Sequence, residues 1–129
     1  MHHARGRPLR RRALRPLPRH DRGMDKRYKI VVYAPETHAD QLRAALGDAG
    51  AGRIGAYSHC TFSVKGIGRF RPGEGANPTI GEVGRMEEVL EERIEAVCAG
   101  DRLHDVLAAI RAVHRYEEPA TDVYTLEVV

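Results

Sequence analysis

The pattern of apolar and polar positions predicts a strand followed by a helix near the start of the chain body. Residues 28–34 are rich in β-branched and aromatic side chains, which favours a buried strand ended by Pro35. Residues 36–49 then repeat apolar side chains at helical spacing. Gly50 and Gly52 indicate where that helix stops.

A second helix and strand are predicted near the end of the chain. Asp101 is placed to cap a helix, whose apolar face consists of Leu103, Val106, Leu107, Ile110 and Val113. After Pro119, residues 121–128 alternate as in a strand. His104 and His114 would lie ten residues apart on this helix, which turns their side chains about 80° from each other.

The middle of the chain is less regular. Residues 57–65 read as a strand, whereas residues 66–84 contain six glycines and two prolines and predict a loop-rich excursion with short extended pieces. Residues 85–98 have apolar side chains at helical spacing, so local pattern favours a helix there. Two β-α-β units of matching layout would instead need a strand directly before the second helix, and sheet context can override helix propensity.

The net charge of +3 comes from the first 23 residues. They hold eight arginines and one aspartate, so the other 106 residues carry 13 basic and 17 acidic side chains, a formal charge of −4. A polyanion-binding surface over the whole body is therefore not indicated. Nucleic-acid binding would have to come from the arm, through neutralisation of phosphate charge.

The arm, residues 1–23, has three interpretations: a basic tail for nucleic acid, a transit-like segment, or an artefact of the start site. The third is the plainest, because Met24 stands directly before the first predicted strand. We expect a disordered arm and one domain at 24–129. Cys60 and Cys98 make no disulfide framework, and no apolar run could cross a bilayer. Free thiols and a cytoplasmic location follow as expectations.

Two glycine-rich motifs allow a functional and a structural interpretation. Gly50-Ala-Gly-Arg-Ile-Gly55 matches G-x-G-x-x-G, but a helix precedes it and a strand follows, the reverse of a dinucleotide site. A helix C-cap and a tight turn explain it better. Residues 66–81, with Arg69 and Arg71, could present backbone N–H groups to an anion. The alternative is a hairpin whose glycines need positive φ angles.

The other polar residues give no local constellation. His59 and Cys60 are adjacent, so on a strand they would point to opposite faces, and the same holds for Glu117 and Glu118 on extended chain. No pair has H-x-x-x-H or C-x-x-C spacing. No nucleophile, base and orienting group can be read together from the sequence.

Four segments in order resemble the inserted middle domain of Nif-three-like proteins: residues 49–63, 66–72, 75–81 and 114–124. The first reads Ala-Gly-Ala-Gly-Arg-Ile-Gly-Ala-Tyr-Ser-His-Cys-Thr-Phe-Ser, and the last reads His-Arg-Tyr-Glu-Glu-Pro-Ala-Thr-Asp-Val-Tyr. The likeness extends over residues 28–126. Arg115 departs from the family, which usually has proline there, and this affects the local turn.

The resemblance implies an α+β fold, a ferredoxin-like (βαβ)2 sandwich of the CutA and PII type with a glycine-rich hairpin excursion. It also decides the assignment of residues 91–98 to a strand. CutA and PII proteins form trimers, so a homotrimer is implied. Full-length Nif-three-like proteins carry a di-metal site in flanking domains that this chain lacks. The resemblance thus implies the insert domain standing alone, without that metal-dependent chemistry.

We therefore expect a non-catalytic module that binds a small ligand or a partner in clefts between subunits. The candidate ligand-binding residues are His59, Cys60, Arg69, Arg71, His114, Tyr116 and Glu117. The stretch from Tyr116 to Pro119 equally fits a structural turn that orders the last strand. Two alternatives stay open: a protein that binds a divalent metal, as suggested for CutA, and a nucleotide hydrolase.

Overall fold

The computed structural model describes residues 26–114 and 119–129. Within them the order is strand β1 (Arg27–Pro35), helix α1 (Ala39–Asp48), strands β2 (Phe62–Phe70) and β3 (Glu87–Ala99), helix α2 (Leu103–Val113) and strand β4 (Thr121–Leu126). The strands form one antiparallel sheet in the order β2-β3-β1-β4. This confirms the ferredoxin-like arrangement of two β-α-β units.

Several predictions concern residues outside that description. The basic arm at 1–23 is one of them, and with it the domain boundary at Met24. Arg115, Tyr116, Glu117 and Glu118 lie in the second gap. The roles proposed for these residues stay predictions.

The core lies between one face of the sheet and the two helices. Alternation along β1 and β3 sends every second side chain to this face, and the ladder pairs Ile30 with Ala96 and Val32 with Ile94. The helices add four large, fully buried side chains: Leu42, Leu46, Val106 and Ile110. Burying one such side chain contributes about 1.5–3 kcal/mol relative to leaving it exposed. The buried core cluster is aliphatic apart from Cys98.

Strand β3 confirms the assignment made against local propensity. The prediction covered residues 91–98, and the strand extends over Glu87–Ala99. Glu92, Ile94, Ala96 and Cys98 are buried, and the residues between them are half-buried, a period of two. The helical spacing of the apolar residues is overridden because β3 forms ladders with β1 on one side and β2 on the other.

The strand predicted at 57–65 is shifted along the chain. Tyr57 makes an isolated bridge with Ile54, and β2 begins at Phe62. The cause is Gly52, whose N–H donates to the Val97 carbonyl at 2.7 Å and whose carbonyl accepts the Cys60 N–H at 2.9 Å. These bonds close the intervening chain into a loop. His59 and Cys60 therefore lie in that loop and not on a strand as expected.

The glycine-rich excursion begins later than predicted. Gly66 and Gly68 belong to β2 and pair with Glu91 and Val89 of β3, so the two strands form a hairpin. The loop between them covers residues 71–86. Three of its glycines have positive φ: Gly75, Gly81 and Gly84. The hairpin interpretation is confirmed for this part of the segment.

The helix ends differ from the predictions in detail. Asp101 does not cap α2; it lies within the 3-10 turn Gly100–Arg102, and no side-chain cap hydrogen bond is present there. A similar turn, Glu36–His38, precedes α1. His114 follows α2 with an extended backbone, φ −72° and ψ 135°, so it does not share a helix with His104. Strand β4 ends at Leu126, two residues earlier than predicted.

The C-terminal end of α1 matches the structural interpretation of the first glycine motif. Gly50, Gly52 and Gly55 all have positive φ, as a helix stop and tight turns require. Neither helix in the described ranges has the length and apolar character that crossing a bilayer would need.

We expect Gly52→Ala to lower the free energy of unfolding by about 2 kcal/mol or more. Gly52 has φ +77°, and an added Cβ would overlap the backbone of Cys60. The matched control is Gly73→Ala, because Gly73 does not have positive φ and has open space where a Cβ would lie. Urea denaturation measures both. Equal losses in the two variants would contradict this account of the loop.

Candidate functional site

The predicted site residues in the described ranges lie in three separate places. His59 and Cys60 are in the loop between α1 and β2, near Val97 at one end of the sheet. Arg69 pairs with Glu88 at the other end of β3. Val97 and Glu88 are nine residues apart on that strand, which is about 30 Å.

His114 occupies the third place, beside the end of β1. Its Nε2 atom is 2.6 Å from the Tyr33 carbonyl oxygen, to which it donates. Tyr33 pairs with Arg93 in the middle of β3. This bond ties the end of α2 to β1, so His114 has a clear structural role. The three groups of predicted residues therefore do not converge within one chain.

His59 is held at both ring nitrogens. Nε2 lies 2.9 Å from Asp48 Oδ1, and Nδ1 lies 2.9 Å from Ser58 Oγ. The ring packs on Gly47 of α1, where any Cβ would overlap it. The backbone of His59 is left-handed, φ +59°, which is uncommon for a residue other than glycine.

The two cysteines differ in their surroundings, and both are free thiols. Cys60 is half-buried, and its Sγ lies 3.8 Å from the Ser58 carbonyl oxygen. Cys98 is a core residue whose thiol lies 3.2 Å from the Ala99 carbonyl oxygen. Burial raises the pKa of Cys98, and the charge of Asp101 adds to this. A buried thiol of raised pKa is a poor nucleophile, so Cys60 is the accessible one.

The two arginines of the hairpin are engaged in contacts that shape it. Arg69 Nε donates to Glu88 Oε1 at 3.0 Å across the ladder. Arg71 Nε donates to the Gly84 carbonyl at 3.1 Å, and the Gly84 N–H donates to the Pro72 carbonyl at 2.6 Å. Arg71 thus closes the base of the 71–86 loop. Both side chains are exposed.

The sheet face opposite the helices is a feature that sequence reasoning missed. Alternation places Phe62, Val64 and Tyr124 on this face, with exposures of 65%, 48% and 49%. We call this surface the open face. The alternation of Phe62 and Val64 was visible in the sequence. That no helix covers them is a property of the assembled sheet.

A groove of about 230 Å³ lies on the open face, next to the glycines of β2. Its lining includes Tyr33, Val64, Gly66, Glu91 and Arg93. No side chain fills the space above Gly66, whereas the Glu91 carboxylate lies directly over Gly68. The missing side chain at Gly66 therefore contributes to the depression, and a β-branched residue at this position would reach into it.

An ionic network lies beside that groove. Lys29 Nζ is 3.4 Å and Arg93 Nε is 3.1 Å from carboxylate oxygens of Glu95. The Arg93 guanidinium also stands 5.9 Å from the centre of the Tyr33 ring. Arg93 Nε is buried and pairs with Glu95 by proximity without good hydrogen-bond geometry. Two cations thus flank one carboxylate in the middle of the open face.

A second network joins α1 to the sheet on the helix side. Arg43 donates to Glu92 Oε1 at 2.6 Å, to Ser63 Oγ at 3.1 Å and to Asp40 Oδ1 at 2.5 Å. The hydrogen bonds to Glu92 and Asp40 raise the pKa of Arg43 above its usual value. Glu92 is a buried acid in the core face of β3. Arg43 neutralises it and at the same time holds the edge strand β2.

Across residues 26–114 and 119–129, no three side chains of His, Cys, Asp or Glu come close enough to hold a metal ion. The geometry within one subunit therefore does not build a metal centre from described residues. What it builds is an open apolar face with a charged middle, while the three groups of predicted polar residues lie apart from one another.

No family model matches the chain. Over 99 residues the chain is 54% identical to the GTP cyclohydrolase 1 type 2 homolog of Halalkalibacterium halodurans. The matched segment is 77% of this chain and 27% of that protein. Against the Bacillus subtilis homolog the identity is 52%, covering 77% of the chain and 26% of the relative.

Solved structures show the same relation. A Bacillus cereus protein related to NIF3 superposes with a TM-score of 0.71 at 47% identity, covering 81% of this chain and 26% of that one. CutA from Archaeoglobus fulgidus superposes with a TM-score of 0.58 at 16% identity, covering 80% of this chain and 86% of that one. GlnK in the Bacillus subtilis GlnK–ATP complex superposes with a TM-score of 0.55 at 12% identity, covering 79% of this chain and 83% of that one. The last two show the fold alone.

The fold is thus that of the CutA- and PII-like ferredoxin-like domains. By sequence the chain matches one segment of Nif-three-like proteins at about half identity, as the resemblance indicated. It spans about a quarter of the length of the curated relatives it matches.

We expect Arg43→Met to lower the free energy of unfolding by about 3 kcal/mol, because it leaves the Glu92 carboxylate buried without its cation. The double variant Arg43→Met, Glu92→Met should recover most of the loss. Arg85→Met is the control, since Arg85 forms an exposed ion pair 3.9 Å from Glu82, and it should change little. Denaturant unfolding measures all three. A double variant as unstable as Arg43→Met would refute the role of the pair.

Proposed function

We propose that this domain is a non-catalytic module that assembles as a homotrimer through the open face and binds a small ligand or partner between subunits. The observation that carries the proposal is the uncovered sheet face with its exposed aromatic and aliphatic side chains. An antiparallel sheet can leave one face to water, but such a face then alternates to polar residues. The open face instead exposes three large side chains with apolar surface: Phe62, Val64 and Tyr124.

The charge distribution on the open face supports assembly. Glu95 is already paired with Lys29 and Arg93 within one subunit, so burying this part of the face would not leave an isolated carboxylate. The apolar residues lie to either side, on β2 and β4. The resemblance to CutA and PII proteins, which form trimers, points to the same assembly.

The ligand site in this proposal lies where subunits meet. Within one chain the candidate residues form three groups at different points around the sheet: His59 with Cys60, Arg69 with Arg71, and His114 by itself. Neighbouring subunits would bring one group against another, together with Tyr116 and Glu117. The groove beside Gly66 would then have a second wall. A cytoplasmic location belongs to the same proposal and is supported by the two free thiols.

Divalent-metal binding is the second candidate. It is favoured by the likeness to a protein described as a periplasmic divalent cation tolerance protein. The described residues of one chain do not gather three ligands, so such a site would need ligands from more than one subunit.

Calorimetric titration with Zn(II), Cu(II) and Ni(II) tests the metal candidate. A heat of metal binding that is present for the assembled protein, and absent for a variant whose subunits are separated by mutation, would support a shared site. A flat titration of the assembled protein would remove the candidate.

The hydrolase alternative draws on the name of the curated relatives, GTP cyclohydrolase 1 type 2 homolog. That name describes proteins of which this chain matches about a quarter. A screen for hydrolysis of GTP and other nucleotides with no turnover would retire it.

The trimer predicts a specific mutational result. Phe62→Glu should convert a three-chain particle into monomers at micromolar concentration, because it places a charge in each apolar contact of the open face. The matched control is Ala112→Glu, at an exposed position of α2 on the opposite side of the domain. Size-exclusion chromatography with light scattering measures the mass. A wild-type monomer would overturn the trimer, and a three-chain particle for Phe62→Glu would overturn the role of this face.

A further inference from the structure

Ser58, His59 and Asp48 form a continuous hydrogen-bonded series. Ser58 Oγ lies 2.9 Å from His59 Nδ1, and His59 Nε2 lies 2.9 Å from Asp48 Oδ1. Sequence reasoning found no nucleophile, base and orienting group because Asp48 stands eleven residues before His59. The loop that Gly52 closes brings them together.

The carboxylate determines which ring nitrogen carries the proton. An ionised Asp48 can only accept hydrogen bonds, so the proton of the neutral imidazole lies on Nε2. Nδ1 then offers its lone pair to the Ser58 hydroxyl. This is the polarity that activates a serine in acyl transfer, with a base touching the hydroxyl and an acid orienting the base.

The position of the imidazole is fixed by the fold. Among the described residues other than glycine, His59 alone has positive φ. Its ring rests on Gly47 of α1, where no other residue would leave space. Left-handed backbone at a residue other than glycine is retained where the surrounding structure holds it, and such sites are concentrated in functional regions.

We propose that Ser58 is an activated nucleophile that accepts an acyl group from donors with a good leaving group, such as activated esters and thioesters. Ser58 Oγ forms the new bond to the carbonyl carbon, and its proton moves to His59 Nδ1. The bond to the leaving group breaks, and that group departs with its electron pair. Asp48 stabilises the imidazolium, which then releases its proton to the leaving group or to water.

The chain contains its own control in Ser63, since these two are its only serines. The Ser63 hydroxyl accepts a hydrogen bond from the Arg43 guanidinium, and arginine does not act as a base. Ser63 is half-buried, whereas Ser58 is exposed. The structure thus predicts selective modification of one serine and not of both. This inference goes beyond the binding role and does not depend on it.

A fluorophosphonate probe tests the proposal on the full chain. Its P–F bond breaks as a P–O bond forms at a reactive serine, fluoride leaves, and the adduct is found by intact and peptide mass spectrometry. We expect one adduct, at Ser58, which Ser58→Ala abolishes and Ser63→Ala leaves unchanged. Peptide mapping distinguishes an adduct on the Ser58 hydroxyl from one on the neighbouring Cys60 thiol, which separates the reaction from thiol chemistry. Labelling of Ser63 at the same rate, or no labelling of the folded protein, would overturn the proposal.

The roles of the partners are tested by labelling rates. Loss of a general base typically costs about 10²-fold or more, so His59→Asn should slow labelling by that factor. Asn is chosen because it tolerates left-handed backbone. Asp48→Asn should slow it less, and Asp48→Glu should restore part of the rate, which a purely structural role would not produce. Thermal unfolding confirms that each variant is folded. An unchanged rate in folded His59→Asn would refute the relay.

Discussion

The ladder between β1 and β3 is the interaction on which the rest of the molecule depends. It joins nine residue pairs, from Arg27 with Ala99 to Pro35 with Glu91. Because these strands are central in the sheet, their alternation places one set of side chains under the helices and the other set on the open face. A shift of one residue would exchange the two faces. The core, the ionic network of Glu95 and the buried acid Glu92 all rely on this register.

Two polar contacts transmit that register to the rest of the fold. Arg43 links Glu92 on β3 to Ser63 on the edge strand β2, so helix and sheet are aligned by charge as well as by apolar packing. Gly52 links the loop after α1 to Val97. Both contacts originate at β3, and the position of His59 follows from the second. The loop residues Ser58, His59 and Cys60 thus take their places from this strand.

The sequence predicted the elements better than the contacts. Strand β1 and the helices have strong local patterns, and these were located to within a few residues. Strand β3 was assigned against its helical spacing, with the family resemblance as the reason, and the two ladders explain why it holds. The start of β2 was wrong because the closing bond of Gly52 to Val97 joins residues far apart in sequence. Local pattern contains no information on such a bond.

The candidate site was harder to anticipate for the same reason. The pair of Arg43 and Glu92 and the contact of His59 with Asp48 need the folded chain to bring them together. The open face needs knowledge of which side the helices cover. Residue types alone indicated His59 and His114, but each turned out to hold neighbouring elements in place. Their binding roles remain proposals.

The hairpin of β2 and β3 continues beyond the end of β1. Past the pair of Pro35 with Glu91, residues 87–90 have β2 as their ladder partner, and Ile67 and Leu90 face each other there with more than half of their surface exposed. A two-stranded ribbon is marginally stable in water. Its local opening therefore does not require the core to unfold. The domain thus combines a body held by its core with a hairpin end whose order can change independently of that core.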